Sequence, residues 1–155
     1  MKNILLFLTL ILSISFFNCN NEMAGAADNN VQFYSKGYHI PFEVKISVTG
    51  NNMELFYKSS EMKDAFSQNF SISDEEKDEI FGYLNEIDFM KMEVPDLVKK
   101  MDAPVAKLTA KLNGESREID IGQLPSIPQS LVTLRTKMFN LASAYKPEWK
   151  KEVGF

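Results

Sequence analysis

Asn113-Gly114 restricts the fold of this chain more than any other pair of residues. Asn-Gly between two alternating runs marks a two-residue type I′ hairpin, because both central residues must take positive φ. Closing the chain there sets a register. Leu108 faces Ile119, Ala106 faces Ile121, Lys107 faces Asp120 and Thr109 faces Glu118. Apolar and polar residues then separate onto opposite faces, as a half-buried strand pair requires. Residues 42–48 alternate in the same way: Phe42, Val44, Ile46 and Val48 point to one side, Glu43, Lys45 and Ser47 to the other. Gly50-Asn51 suits a type II′ turn into a partner strand at residues 53–58. That turn pairs Val48 with Met53, Ile46 with Leu55, Val44 with Tyr57 and Glu43 with Lys58. The one polarity mismatch is Lys45 opposite Phe56, which puts Phe56 on the wet face.

Between the hairpins, Ser73-Asp74-Glu75-Glu76 reads as a capping box, with Ser73 as N-cap and Glu76 three residues on. The acids that follow favour a helix N-terminus. Ile80, Phe81, Leu84 and Ile87 supply an apolar stripe, so this helix should run to about Asp88. Pro125 and Pro128 open a second helix with Leu131, Leu134, Met138, Leu141 and Tyr145 on one stripe, and Pro147 ends it. Residues 59–70 read as a polar connection, 89–103 as a loop with at most one helical turn, and 149–155 as a short tail. The expected fold is α+β: a four-stranded antiparallel sheet from two hairpins, with two helices on one face, in the order ββαββα. Residues 31–38 stay open between two readings. Phe33, Tyr34 and Tyr38 either add a short extra strand or fold over the outer face and bury Phe56.

The N-terminus has a different character. Lys2 precedes an apolar run over residues 4–17, broken only by Thr9, Ser13 and Ser15. The run suits a signal-peptide core and falls short of the roughly 20 apolar residues that span a membrane. It stops at Phe16-Phe17-Asn18-Cys19, and Cys19 is the sole cysteine. Here the chain resembles the bacterial lipoprotein family, with Asn18 where Gly or Ala usually precedes the cysteine. The resemblance implies removal of residues 1–18 and a diacylglyceryl thioether plus an amide-linked acyl chain such as palmitate on Cys19. It also implies an outer-membrane destination, since Asn20 stands where Asp would retain the protein at the inner membrane. Residues 19–32 would be the lipidated cysteine and a flexible tether, and 33–155 one α+β domain. The other reading is an uncleaved anchor helix with an incidental cysteine.

Composition narrows the chemistry. Loss of residues 1–18 removes only Lys2, taking the formal net charge from −4 to −5. An acidic chain argues against nucleic acid as a partner. One cysteine rules out an intramolecular disulfide, and one histidine, His39, rules out a Cys/His zinc site. His39 reads as a loop histidine or a lone base without a nucleophile motif. The acids at 74–79 are explained by the helix dipole, and Asp96 and Asp102 flank Met101 without a defined geometry. Asn69-Phe70-Ser71 matches a glycosylation sequon. Met90, Met92 and Met101 read either as core filler or as an adaptable surface. No set of titratable residues converges in the sequence, so neither an enzyme nor a bound cofactor or metal is expected.

The hairpin through Phe56, Ile72-Ser73-Asp74-Glu75-Glu76, Ile87-Asp88-Phe89-Met90, the Asn113-Gly114 turn and Pro128-Gln129-Ser130-Leu131 together resemble the emfourin-type family of small secreted domains. That resemblance covers residues 43–142 and implies inhibition of a thermolysin-like metalloprotease. It transfers no inhibitory residue. The broader expectation is a membrane-anchored module that binds a protein partner or serves the envelope. Phe56 and Lys45 are the candidate partner-binding residues, on a wet face shared with Lys107, Thr109 and Glu118.

Overall fold

A computed structural model describes residues 29–37, 42–101 and 103–153. In chain order its elements are β1 (Asn30–Lys36), β2 (Phe42–Thr49), β3 (Asn52–Ser59), β4 (Phe66–Ser71), α1 (Asp74–Glu86), β5 (Val105–Leu112), β6 (Glu115–Asp120), α2 (Gln129–Tyr145) and α3 (Trp149–Val153). The strands form one antiparallel sheet in the order β4-β3-β2-β1-β5-β6.

Both expected hairpins form in the expected register. Lys45 faces Phe56, Ile46 faces Leu55, and Leu108 faces Ile119. The turns explain why. Asn113 and Gly114 take φ of 52° and 85°, the two positive values of a type I′ loop. Gly50 takes φ 51° with no positive φ at Asn51, the sign pattern of type II′. Ser73 accepts from the Glu76 N–H at 3.2 Å while the Glu76 carboxylate accepts from the Ser73 N–H at 2.8 Å. The capping box is therefore present.

The sheet departs from expectation in size: it has six strands, not four, and three helices rather than two stand among the described residues. One added strand is β1, the stretch left open between two readings. It does not fold over the outer face. It lies in the sheet between the two hairpins, pairing β2 on one side and β5 on the other. Val31 and Phe33, at 0% and 2% exposure, supply the inward residues. With both edges paired, the ladder positions of β1 have partners on either side. The other addition is β4, whose sequence FSQNFS is mostly polar. Phe66 and Phe70 point inward, opposite Tyr57 and Met53. An edge strand tolerates such a sequence because only one of its sides is covered, and polar residues there discourage pairing with another chain.

The inward faces of the strands, Ile80 and Leu84 of α1, Leu131, Leu134 and Met138 of α2, and Trp149 and Val153 of α3 form one apolar core. Phe139 of α2 sets its ring edge-on to Phe33 at 5.0 Å, which places α2 over the middle of the sheet. The Tyr57 hydroxyl donates to Glu152, which ties α3 to β3. α1 packs beside α2: the Tyr145 hydroxyl donates to Glu76 at 2.7 Å and Lys137 pairs with Glu79 at 2.7 Å. α1 ends at Glu86, and Asp88 takes φ 44° as the chain leaves the helix. The following loop is held by Arg117, whose guanidinium donates to the carbonyls of Phe89 and Met92, each at 2.7 Å.

Candidate functional site

Alternation sends every second residue of the six strands to the face opposite the core. The registers align one row across five of them: Phe56 beside Lys45, Lys45 beside Tyr34, Tyr34 beside Lys107, and Lys107 beside Asp120. Ser67 extends the row onto β4 next to Phe56. Phe56 is half-buried among these neighbours. The expected pairing of Phe56 with Lys45 is present. Lys107 lies farther away than two adjacent hairpins would put it, because β1 stands between them and brings Tyr34 into the row.

The charges of this face are matched locally. Lys45 pairs with Glu54 at 2.7 Å and Lys107 with Glu118 at 2.6 Å. The Tyr34 hydroxyl donates to Glu43 at 3.0 Å. Partial burial, and then the Glu43 carboxylate, raise the Tyr34 pKa, so it stays a neutral donor at physiological pH. The glutamate beside Lys107 raises that ammonium's pKa. Side chains of Lys45, Glu54 and Lys107 remain 32%, 34% and 35% exposed, so water reaches both ion pairs. Such pairs exchange partners at small energetic cost.

A second feature lies at the other side of the sheet. Where β1, β5 and β6 reach their ends beside α2, the core face is left partly open as a groove of about 790 Å³. Its floor is Phe33, Ser35 and Ala106, and its walls include Leu124, Ile127 and Phe139. Ser35 is buried at 5% exposure, the one buried polar residue among the described ones. The loop before β5 forms one rim. Its Val98 N–H donates to the Gln123 carbonyl at 2.8 Å and its Lys100 N–H to Gln123 Oε1 at 2.9 Å. Gly122 permits this closeness, since a Cβ there would run into the Pro104 carbonyl oxygen. Lys100 and Arg135 also line the groove, and no carboxylate does among the described residues. Lys100 Nζ donates to the Leu124 carbonyl at 2.5 Å. Arg135 lies over the Phe139 ring at 6.0 Å and makes no ion pair with a described residue.

The sequence offered no pointer to this groove. Its lining comes from five separate segments, and each apolar residue reads as ordinary core. The unusual signal is Arg135, a cation one position from the buried Leu134 on the face of α2 that carries Phe139.

The remaining candidates disperse. Cys19, His39 and Asp102 lie outside the described residues, and Asp96 converges with no other acid into a metal-binding group among them. Asp74 is held by Lys77 at 2.7 Å and Asn51 at 2.9 Å, which lower its pKa and fit its place in the helix cap. Met90 and Met92 pack against the core, whereas Met101 is 89% exposed. Met90 and Met92 therefore fill space beside the core, and Met101 does not. Asn69 stands on the outer face of β4 opposite Glu54. No helix among the described residues is long and apolar enough to cross a membrane. No protein-family model matches the chain, and no curated protein matches it either.

Proposed function

We propose that this protein is a lipid-anchored binding module that docks a protein partner on the outer face of its sheet. The reading rests on the row Phe56, Lys45, Tyr34 and Lys107, where two aromatic rings alternate with two cations on a surface the helices leave alone. Aromatic residues ringed by polar groups are the usual anchors of protein interfaces. A sheet is also a stiff platform, so such side chains lose little freedom on binding. The lipid belongs to Cys19, with the residues before Asn30 as tether. Two acyl chains or more hold a protein at a membrane where one chain holds it only marginally.

Two experiments test the parts separately. For the anchor, Cys19→Ser should abolish acylation and leave the protein out of the detergent-soluble membrane fraction. Membrane association of the variant at processed size would refute lipidation. For the docking face, a photo-crosslinking residue at position 67, beside Phe56, should trap a discrete partner in cells. The same residue at position 75, on exposed α1, should not. Equal or absent trapping at both positions would refute docking on this face.

A further inference from the structure

The groove beside α2 is independent of the outer face and has its own chemistry. We propose that it binds a free fatty acid, with the carboxylate on Arg135 and the alkyl chain along Phe42, Ala106, Ile127 and Phe139. Three observations lead there. The volume of about 790 Å³ falls within the roughly 300–1,000 Å³ of ligand pockets. The lining is apolar apart from Ser35, Lys100 and Arg135. Its charge is one-sided, with two cations and no described acid.

Arg135 is the deciding residue. Every salt-bridged lysine of the outer face has its glutamate, yet this half-buried guanidinium has no described carboxylate partner. A planar fork of donors beside an apolar trough suits a carboxylate, which it can hold with two parallel hydrogen bonds. The Lys100 ammonium, occupied by the Leu124 carbonyl, adds a second positive charge at the same rim without competing for the headgroup's position. The protein's net negative charge would repel anions from its surface at large, so the attraction is local to this rim. One free guanidinium and one trough fit a single-chain acid better than a two-chain phospholipid. The exposed Leu97 and Met101, at 61% and 89%, sit on the rim loop and give an alkyl chain an apolar approach.

The test uses the full-length protein in its membranes. A diazirine-bearing dodecanoate is photolysed with it, and the labelled peptides are mapped by mass spectrometry. Labelling should fall on residues 121–139 and be displaced by dodecanoate at about a tenth of the concentration that dodecanol requires, or less. Competitors should strengthen about fourfold per added methylene up to the groove's length. Arg135→Gln should cut labelling about tenfold or more, and Arg135→Lys, which keeps the charge but loses the fork, should fall between Arg135→Gln and the unaltered protein. Should Arg135→Gln fail to fold, the dodecanoate and dodecanol contrast on the unaltered protein decides alone. Equal displacement by dodecanol, labelling mapped elsewhere, undiminished labelling of a folded Arg135→Gln, or displacement only by phospholipid vesicles or by an apolar peptide would each overturn the proposal.

Discussion

Trp149→Ala should lower the stability of the domain by about 3–5 kcal/mol, as for other large buried aromatics cut to alanine. Trp149 is fully buried although it follows the last long helix and sits near the end of the described chain. Its ring stands edge-on to Phe139 at 5.1 Å, and its Nε1–H donates to Ser143 Oγ at 3.0 Å. Removal would leave a void between α2 and β3 and strand the serine's hydrogen bond. It would also loosen α3, whose Glu152 accepts from the Tyr57 hydroxyl and pairs with Lys146 at 3.1 Å. That arrangement lowers the Glu152 pKa, with the Tyr57 hydrogen bond the largest cause, and keeps the carboxylate ionised as an acceptor. The melting temperature followed by circular dichroism should fall by about 10–20 °C. A loss below about 1 kcal/mol would mean that α3 rests on the domain without supporting it.

The tail shows what the sequence conceals. The two hairpins were legible because their signals are local: a period of two and turn residues whose φ signs select the loop. The capping box of α1 was legible for the same reason. Strand β4 was not, because Ser67, Gln68 and Asn69 separate its two phenylalanines and an edge strand needs few apolar residues. Trp149 and Val153 show one helical turn of spacing, but a five-residue helix carries too little pattern to separate from a tail. The place of β1 was hidden for a deeper reason. Its aromatics left it open between a strand and a cover over the outer face, and nothing local says which strands it joins. Sheet order is a property of the whole chain, and here it inserts β1 between the hairpins. On the candidate face, the pairing of Phe56 with Lys45 is legible because the two share one hairpin. Tyr34 is not legible as their neighbour, because it arrives from another part of the chain.

Phe56→Ala should divide stability from binding. Phe56 stands half-buried on the outer face, between Lys45 and Ser67, and contributes nothing to the core cluster. Its loss removes cross-strand contacts of the kind that contribute up to about 1 kcal/mol. Binding is expected to suffer far more. An aromatic anchor at the centre of an interface commonly accounts for about 2 kcal/mol or more, or roughly thirtyfold in affinity. The two effects are separable because the contacts that Phe56 would make with a partner are absent from the free domain.

The decisive measurement therefore takes Phe56→Ala in the full-length protein and records the melting temperature together with capture of the partner by the photo-crosslinker at position 67. A docking face predicts a melting temperature within a few degrees of the unaltered protein and capture reduced at least tenfold. A loss of about 3–5 kcal/mol, the cost of truncating a buried phenylalanine, or undiminished capture by a folded variant would contradict it.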